Sequence, residues 1–124
     1  MNAVTDLETP AVTVHLDIME DNIRRVQAYL AQHGIANRPH IKTHKIPALG
    51  KLQMQAGAIG ITCATLREAE CLVDHGVGSI LLANEITDSA KIRRLVDLSR
   101  RADGDLSRQP RERRVSNQQP KVSL

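Results

Sequence analysis

Four short apolar runs alternate along the chain with four stretches whose apolar residues recur every three or four positions. Ala11-Val12-Thr13-Val14-His15-Leu16 reads as a strand. Asp17 follows as a helix N-cap with Glu20 behind it, and Met19, Ile23, Val26 and Leu30 line one face until Gly34 stops the helix. Arg38 to Lys42 is the second strand. Pro47 suits the first turn of the next helix, whose face is Leu49, Leu52 and Ala56 before Gly57. Ile59 to Ala64 is the third strand, and Thr65 with Glu68 forms a capping-box signature for a helix through Leu72 to His75, closed by Gly76. Ser79 to Ala83 is continuous and apolar, as buried parallel strands are. Asp88 to Arg100 is the last helix, with Ile92, Leu95 and Val96 inward.

This alternation predicts an α/β protein with a parallel sheet and right-handed crossovers. A doubly wound sheet and a (β/α)8 barrel both satisfy it. No Gly-rich phosphate loop follows the first strand, which counts against a dinucleotide fold. After Asp103 the pattern breaks. Gly104 to Leu124 holds only Leu106, Val115, Val122 and Leu124 as large apolar residues, in no period. Arg101 to Lys121 carries six basic and three acidic residues, an excess equal to the +3 of the whole chain. That composition predicts a disordered basic tail.

At 124 residues the chain is one domain at most, and 41% apolar with 25% charged residues is ordinary for a soluble protein. Tyr29 is the only aromatic residue, so the core must come from Leu, Ile, Val, Ala and Met. The stacking residues of single-stranded nucleic-acid binders are missing, and the tail's mixed charge makes a weak electrostatic footprint. Nucleic acid is therefore not an expected partner. Cys63 and Cys71 fit neither a zinc pair nor a disulfide framework, which suits reduced thiols in the cytoplasm. The first nine residues include Asp6 and Glu8 and no apolar run, unlike a signal peptide, and nothing approaches the length of a membrane span.

The candidate chemistry lies in Arg38-Pro39-His40-Ile41-Lys42-Thr43-His44-Lys45. In an extended strand Arg38, His40 and Lys42 share one face. A lysine on an interior face among cations has its ammonium form disfavoured, and its amine then attacks carbonyls. The plain alternative is a basic loop in water. Lys42 is the candidate nucleophile and Lys45 its competitor. Arg38 and His40 would orient a cofactor or tune the lysine, or form a packed, hydrogen-bonded pair. His44 lies beyond the strand end. Thr65 and Asn84 sit at strand C-terminal ends, Thr65 as a helix cap and Asn84 as a turn or cofactor contact. His15, His33 and His75 read as structural.

Thr9-Pro10-Ala11-Val12, the lysine octet, Gly60-Ile61-Thr62-Cys63-Ala64-Thr65 with Glu68-Ala69-Glu70, and Ile80-Leu81-Leu82-Ala83-Asn84-Glu85-Ile86 follow in an order that resembles the N-terminal part of the D-threonine aldolase and D-serine dehydratase family. These are pyridoxal-phosphate (PLP) enzymes of the alanine-racemase-like barrel class. The resemblance implies the N-terminal half of a (β/α)8 barrel, with an arm over 1–8, the partial PLP-binding barrel over 9–103 and the tail over 104–124. It implies that Lys42 forms the internal aldimine with PLP, with Arg38 and His40 as further cofactor-binding candidates. The substrate would be a small D-amino acid, cleaved by aldol cleavage or β-elimination. The divalent metal of the complete family enzyme and its phosphate-binding loops are expected from later sequence, so no metal ligand is assigned here. Related enzymes have another strand where Gln109 to Arg114 stands. Our hypothesis is a reading-frame slip near residue 103, to be tested by translating the source DNA in all frames. The fragment is predicted inactive alone, with unpaired sheet edges that favour self-association. A non-catalytic PLP-binding protein and a small interaction protein are the alternatives.

Overall fold

The computed structural model describes residues 4–106. A 3-10 turn, Val4–Asp6, precedes helices α1 (Leu16–Gln32) and α2 (Pro47–Gln55). Strand β1 (Ile61–Cys63), helix α3 (Leu66–Asp74), strand β2 (Ile80–Leu82) and helix α4 (Ser89–Leu106) complete the order. β1 and β2 pair in parallel, Ile61 opposite Ile80 and Cys63 opposite Leu82, so α3 is the crossover of a βαβ unit. The expected α/β class and parallel pairing are therefore present.

The lysine strand joins the other edge of β1. The Ile59 N–H donates to Asn37 O, Thr62 N–H to Pro39 O and Ile41 N–H to Thr62 O, at 2.8, 2.8 and 3.0 Å. The result is one parallel bridge, His40 to Thr62, rather than a full ladder. Pro39 has no N–H with which to extend it. Residues 11–15, expected as a strand, form none. A strand exists only through a neighbour's hydrogen bonds, and Val12 stands 98% exposed with no such neighbour among the described residues.

Helix starts need a second correction. α1 begins at Leu16, with His15 at the N-cap and no side-chain cap bond, and this places the expected cap Asp17 inside the first turn. There its carboxylate still complements the helix dipole. The other starts follow the sequence. Thr65 Oγ1 accepts the Glu68 N–H at 3.3 Å, and an Asp88 carboxylate oxygen accepts the Lys91 N–H at 2.8 Å. α3 ends at Gly76, whose φ of 79° suits glycine, while the Gly76 and Val77 N–H groups donate to Val73 O and Leu72 O. Gly34 and Gly57 close α1 and α2 with the same bond pattern.

One sheet face is packed. Ile41, Ile61 and Cys63 meet Leu66, Ala69 and Leu72 of α3, with Val77 and Leu98. Leu98, not Ile92 or Val96, is the buried residue of α4, because the helix is turned to place Leu95 and Leu98 on α3. Ion pairs from Arg94 to Glu70 and from Arg101 to Asp74 hold that rotation. The opposite sheet face carries the row His40, Thr62 and Leu81, and Leu81 remains 50% exposed. α1 has no fully buried residue; Met19, Ile23 and Leu30 of its expected apolar face are half-buried, and polar bonds add to the docking, Gln27 Nε2 donating to Gly57 O and Asn37 Nδ2 to Gln27 Oε1. The expected break after Asp103 falls within α4, and the remainder of the tail, 107–124, lies outside the described residues. Among the described residues no helix is long and apolar enough to cross a membrane.

Candidate active site

Lys42 is the second residue past the His40 bridge of the lysine strand, at the C-terminal end of the sheet. Its position follows from two backbone bonds. The Lys42 N–H donates to His40 Nδ1 at 3.1 Å, and the Lys45 N–H returns to Ile41 O at 2.8 Å, closing a turn over 41–45. The Lys42 side chain is exposed and makes no ion pair among the described residues. His44 repeats the device, its Nδ1 accepting the Ile46 N–H at 3.1 Å. Both imidazoles act there as acceptors, which leaves the proton on Nε2 in their neutral forms. His44 Nε2 is buried with no hydrogen-bond partner, and that burial holds the imidazole's pKa below its ordinary value.

Arg38 behaves differently. Its guanidinium crosses Gly60 and donates to Ser79 O and Ser79 Oγ, each at 3.2 Å. Ser79 precedes β2, so this contact lies at the N-terminal edge, away from Lys42. Arg38 and His40 share a face as the alternation requires, but the structure does not bring the Arg38 head group to the lysine.

Lys45 is engaged by a residue that the sequence reading treated only as a cap. Its backbone has a φ of 55°, and Nζ lies 3.3 Å from Glu68 Oε1. The Glu68 side chain is only 8% exposed, and its Oε2 accepts the Ala64 N–H at 2.9 Å. One carboxylate thus ties together the end of β1, the start of α3 and the lysine turn. Ile41, Lys45, Pro47, Glu68 and Leu72 line a cleft of about 370 Å³ on the helix side of that turn. A wider cleft of about 550 Å³ between α3 and α4 contains Thr65 and Asn84. Lys42 lines neither cleft and stands exposed on the turn.

No family profile matches the chain. Individual proteins do. A 3-hydroxy-D-aspartate aldolase of Paracoccus denitrificans is 37% identical over 95 residues, which is 76% of this chain and 24% of that protein. The crystal structure of D-threonine aldolase from Filomicrobium marinum matches with a TM-score of 0.76 at 36% identity, over 79% of this chain and 27% of that one. D-threo-3-hydroxyaspartate dehydratase from Delftia sp. HT23 matches at 0.74 and 37%, over 82% and 26%. The chain is homologous to the N-terminal region of D-threonine aldolase and of the 3-hydroxyaspartate aldolases and dehydratases. It spans about a quarter of the length of the relatives it matches.

In this D-threonine aldolase-like region the remaining expected residues take structural places. Thr65 caps α3, His15 precedes α1, and His33 and His75 end α1 and α3. The thiols are free; burial, and then the Glu68 charge, pushes Cys63 up to about 11. Among the described residues no three His, Cys, Asp or Glu side chains gather as metal ligands would. Glu68 and its bond to Lys45 were the features missed. The only signal was an acid just after a strand end, in a chain with a basic cluster at another strand end.

Glu68 also makes stability pH-dependent. Burial pushes its carboxyl upward, but the Ala64 N–H, the Lys45 ammonium and the Thr65 N–H outweigh that and hold it below the ordinary glutamate value. The unfolded chain then binds the proton more readily than the folded one, so stability rises with pH in that window. The contribution is fully present above the ordinary glutamate value and is lost as pH falls through the folded value. Urea midpoints followed from pH 7 into acid should fall less steeply in Glu68→Gln than in the native chain.

Proposed function

We propose that this chain is the N-terminal portion of a PLP-dependent D-amino-acid lyase barrel, in which Lys42 is the covalent attachment point for the cofactor. The observation that carries the reading is the contrast between two neighbouring lysines. Lys42 projects from a strand's C-terminal end with no ion pair among the described residues, whereas Lys45 is held by Glu68. Catalytic groups of parallel α/β barrels occupy that end of the strands.

The residues present fit the attachment of PLP and not the whole of its site. Lys42 supplies the amine, and His40 fixes the backbone from which it projects. Arg38 supports the sheet beneath through Ser79. When bound, PLP draws electrons from the α-carbon of an amino-acid substrate. Groups for its phosphate and for a divalent metal would come from parts of the full-length protein that this region does not match. Both aldolases and a dehydratase match this region with similar identity, so the choice between aldol cleavage and β-elimination also belongs elsewhere. A chain with the lysine strand and β2 as open edges should lack turnover by itself and tend to self-pair.

Incubation with PLP, borohydride reduction and peptide mapping tests the assignment. Label should concentrate on Lys42 and disappear from that peptide in Lys42→Arg. An even spread over Lys42, Lys45, Lys51 and Lys91 would overturn it.

A further inference from the structure

Two lysines three residues apart, on one turn, face the same problem of chemical identity. Any aldehyde able to condense with one amine can condense with the other. We propose that Glu68 is the positioning residue that makes the choice, by withholding Lys45 so that PLP is directed to Lys42. The inference rests on the proposed role of Lys42.

Glu68 is placed to do this. Its carboxylate is buried, and Oε2 is committed to the Ala64 N–H at 2.9 Å. Oε1 is left for Lys45 Nζ at 3.3 Å. Condensation at Lys45 would remove the cation from a carboxylate that has little water to replace it. Lys42 carries no such penalty. The carboxylate also restrains the turn itself, because Lys45 is its last residue and its N–H closes the turn on Ile41 O. Holding the far end of the turn fixes where Lys42 leaves the strand. Glu68 acts through Lys45 in both respects and touches neither Lys42 nor the cofactor.

The test compares label at two defined positions in the full 124-residue chain. The native protein and Glu68→Gln are each treated with PLP and borohydride, and the Lys45-to-Lys42 label ratio is read by peptide mapping. Gln keeps the size of the side chain and an oxygen for the Ala64 N–H, but removes the charge. The ratio should rise by about tenfold, as expected if an ion pair worth about 1.4 kcal/mol to the discrimination is lost. A purely structural role for Glu68 would change total label or the melting temperature without moving the ratio. Should Glu68→Gln fail to fold, the native chain in about 1 M salt provides the second reading, since screening weakens a pair whose lysine is 61% exposed. A raised ratio there supports the inference. A native chain selective for Lys42, with a ratio unmoved by the substitution or by salt, overturns the role of Glu68 and leaves Lys42 standing. A native chain already labelled equally at both overturns both.

Discussion

Replacing Leu72 with Ala should abolish the cooperative thermal transition of this chain. Leu72 is fully buried at the centre of a small cluster that also contains Ile41, Ile61 and Leu98. Truncating such a leucine costs about 2–5 kcal/mol, the larger values arising where the surroundings cannot collapse into the space. Collapse is difficult here. Leu72 is packed from the sheet side by Ile61 and from α2 by Gly50, 3.7 Å from a leucine methyl group if it carried a Cβ. Domains of this size hold about 5–15 kcal/mol in all, and a core lined on one face of a short sheet belongs at the low end. Circular dichroism on heating checks the expectation. A sharp transition within a few degrees of the native one would show that the described core is not what holds the chain together.

Gly60→Ala should be the most damaging single-methyl addition, with a loss of about 3 kcal/mol. A Cβ at this position would stand 2.5 Å from Ser79 O and run into the Arg38 guanidinium. The carbonyl cannot retreat cheaply, because it accepts the Ile61 N–H at 2.8 Å beside the first rung between β1 and β2. Relieving the clash therefore separates the strands or expels Arg38. Urea titration should show a lowered midpoint, and Arg38→Ala in the Gly60→Ala background should recover little, since the backbone contact remains. A native-like midpoint for Gly60→Ala would mean that the sheet is looser than its geometry states.

The parts of this structure legible in the sequence are those decided by neighbours in the chain. Gly34, Gly57 and Gly76 mark helix ends because a positive φ is a local requirement. Thr65 and Asp88 mark starts because a cap bonds its own helix. The alternation of the lysine strand placed Arg38 and His40 on one face and Ile41 in the core. What failed depended on partners far along the chain. The run from Ala11 has the residues of a strand but no ladder among the described residues. The inward side of α4 was misread because its rotation is set by α3, through Glu70 and Asp74. At the candidate site, the position of Lys42 just beyond a strand end was legible, and Arg38's reach to Ser79 and Lys45's bond to Glu68 were not. No periodicity encodes a contact between a turn and a helix that begins a strand later.

The sheet's two faces also divide the labour of the molecule. Side chains that hold it folded point toward α3 and α4, the row through His40 belongs to the other side, and Lys42 stands exposed on the turn beyond that row. Selection for thermal robustness alone would therefore register the first set and be nearly blind to the second. A lineage relieved of its chemistry would keep Ile61 and Leu72 long after it had let Lys42 drift.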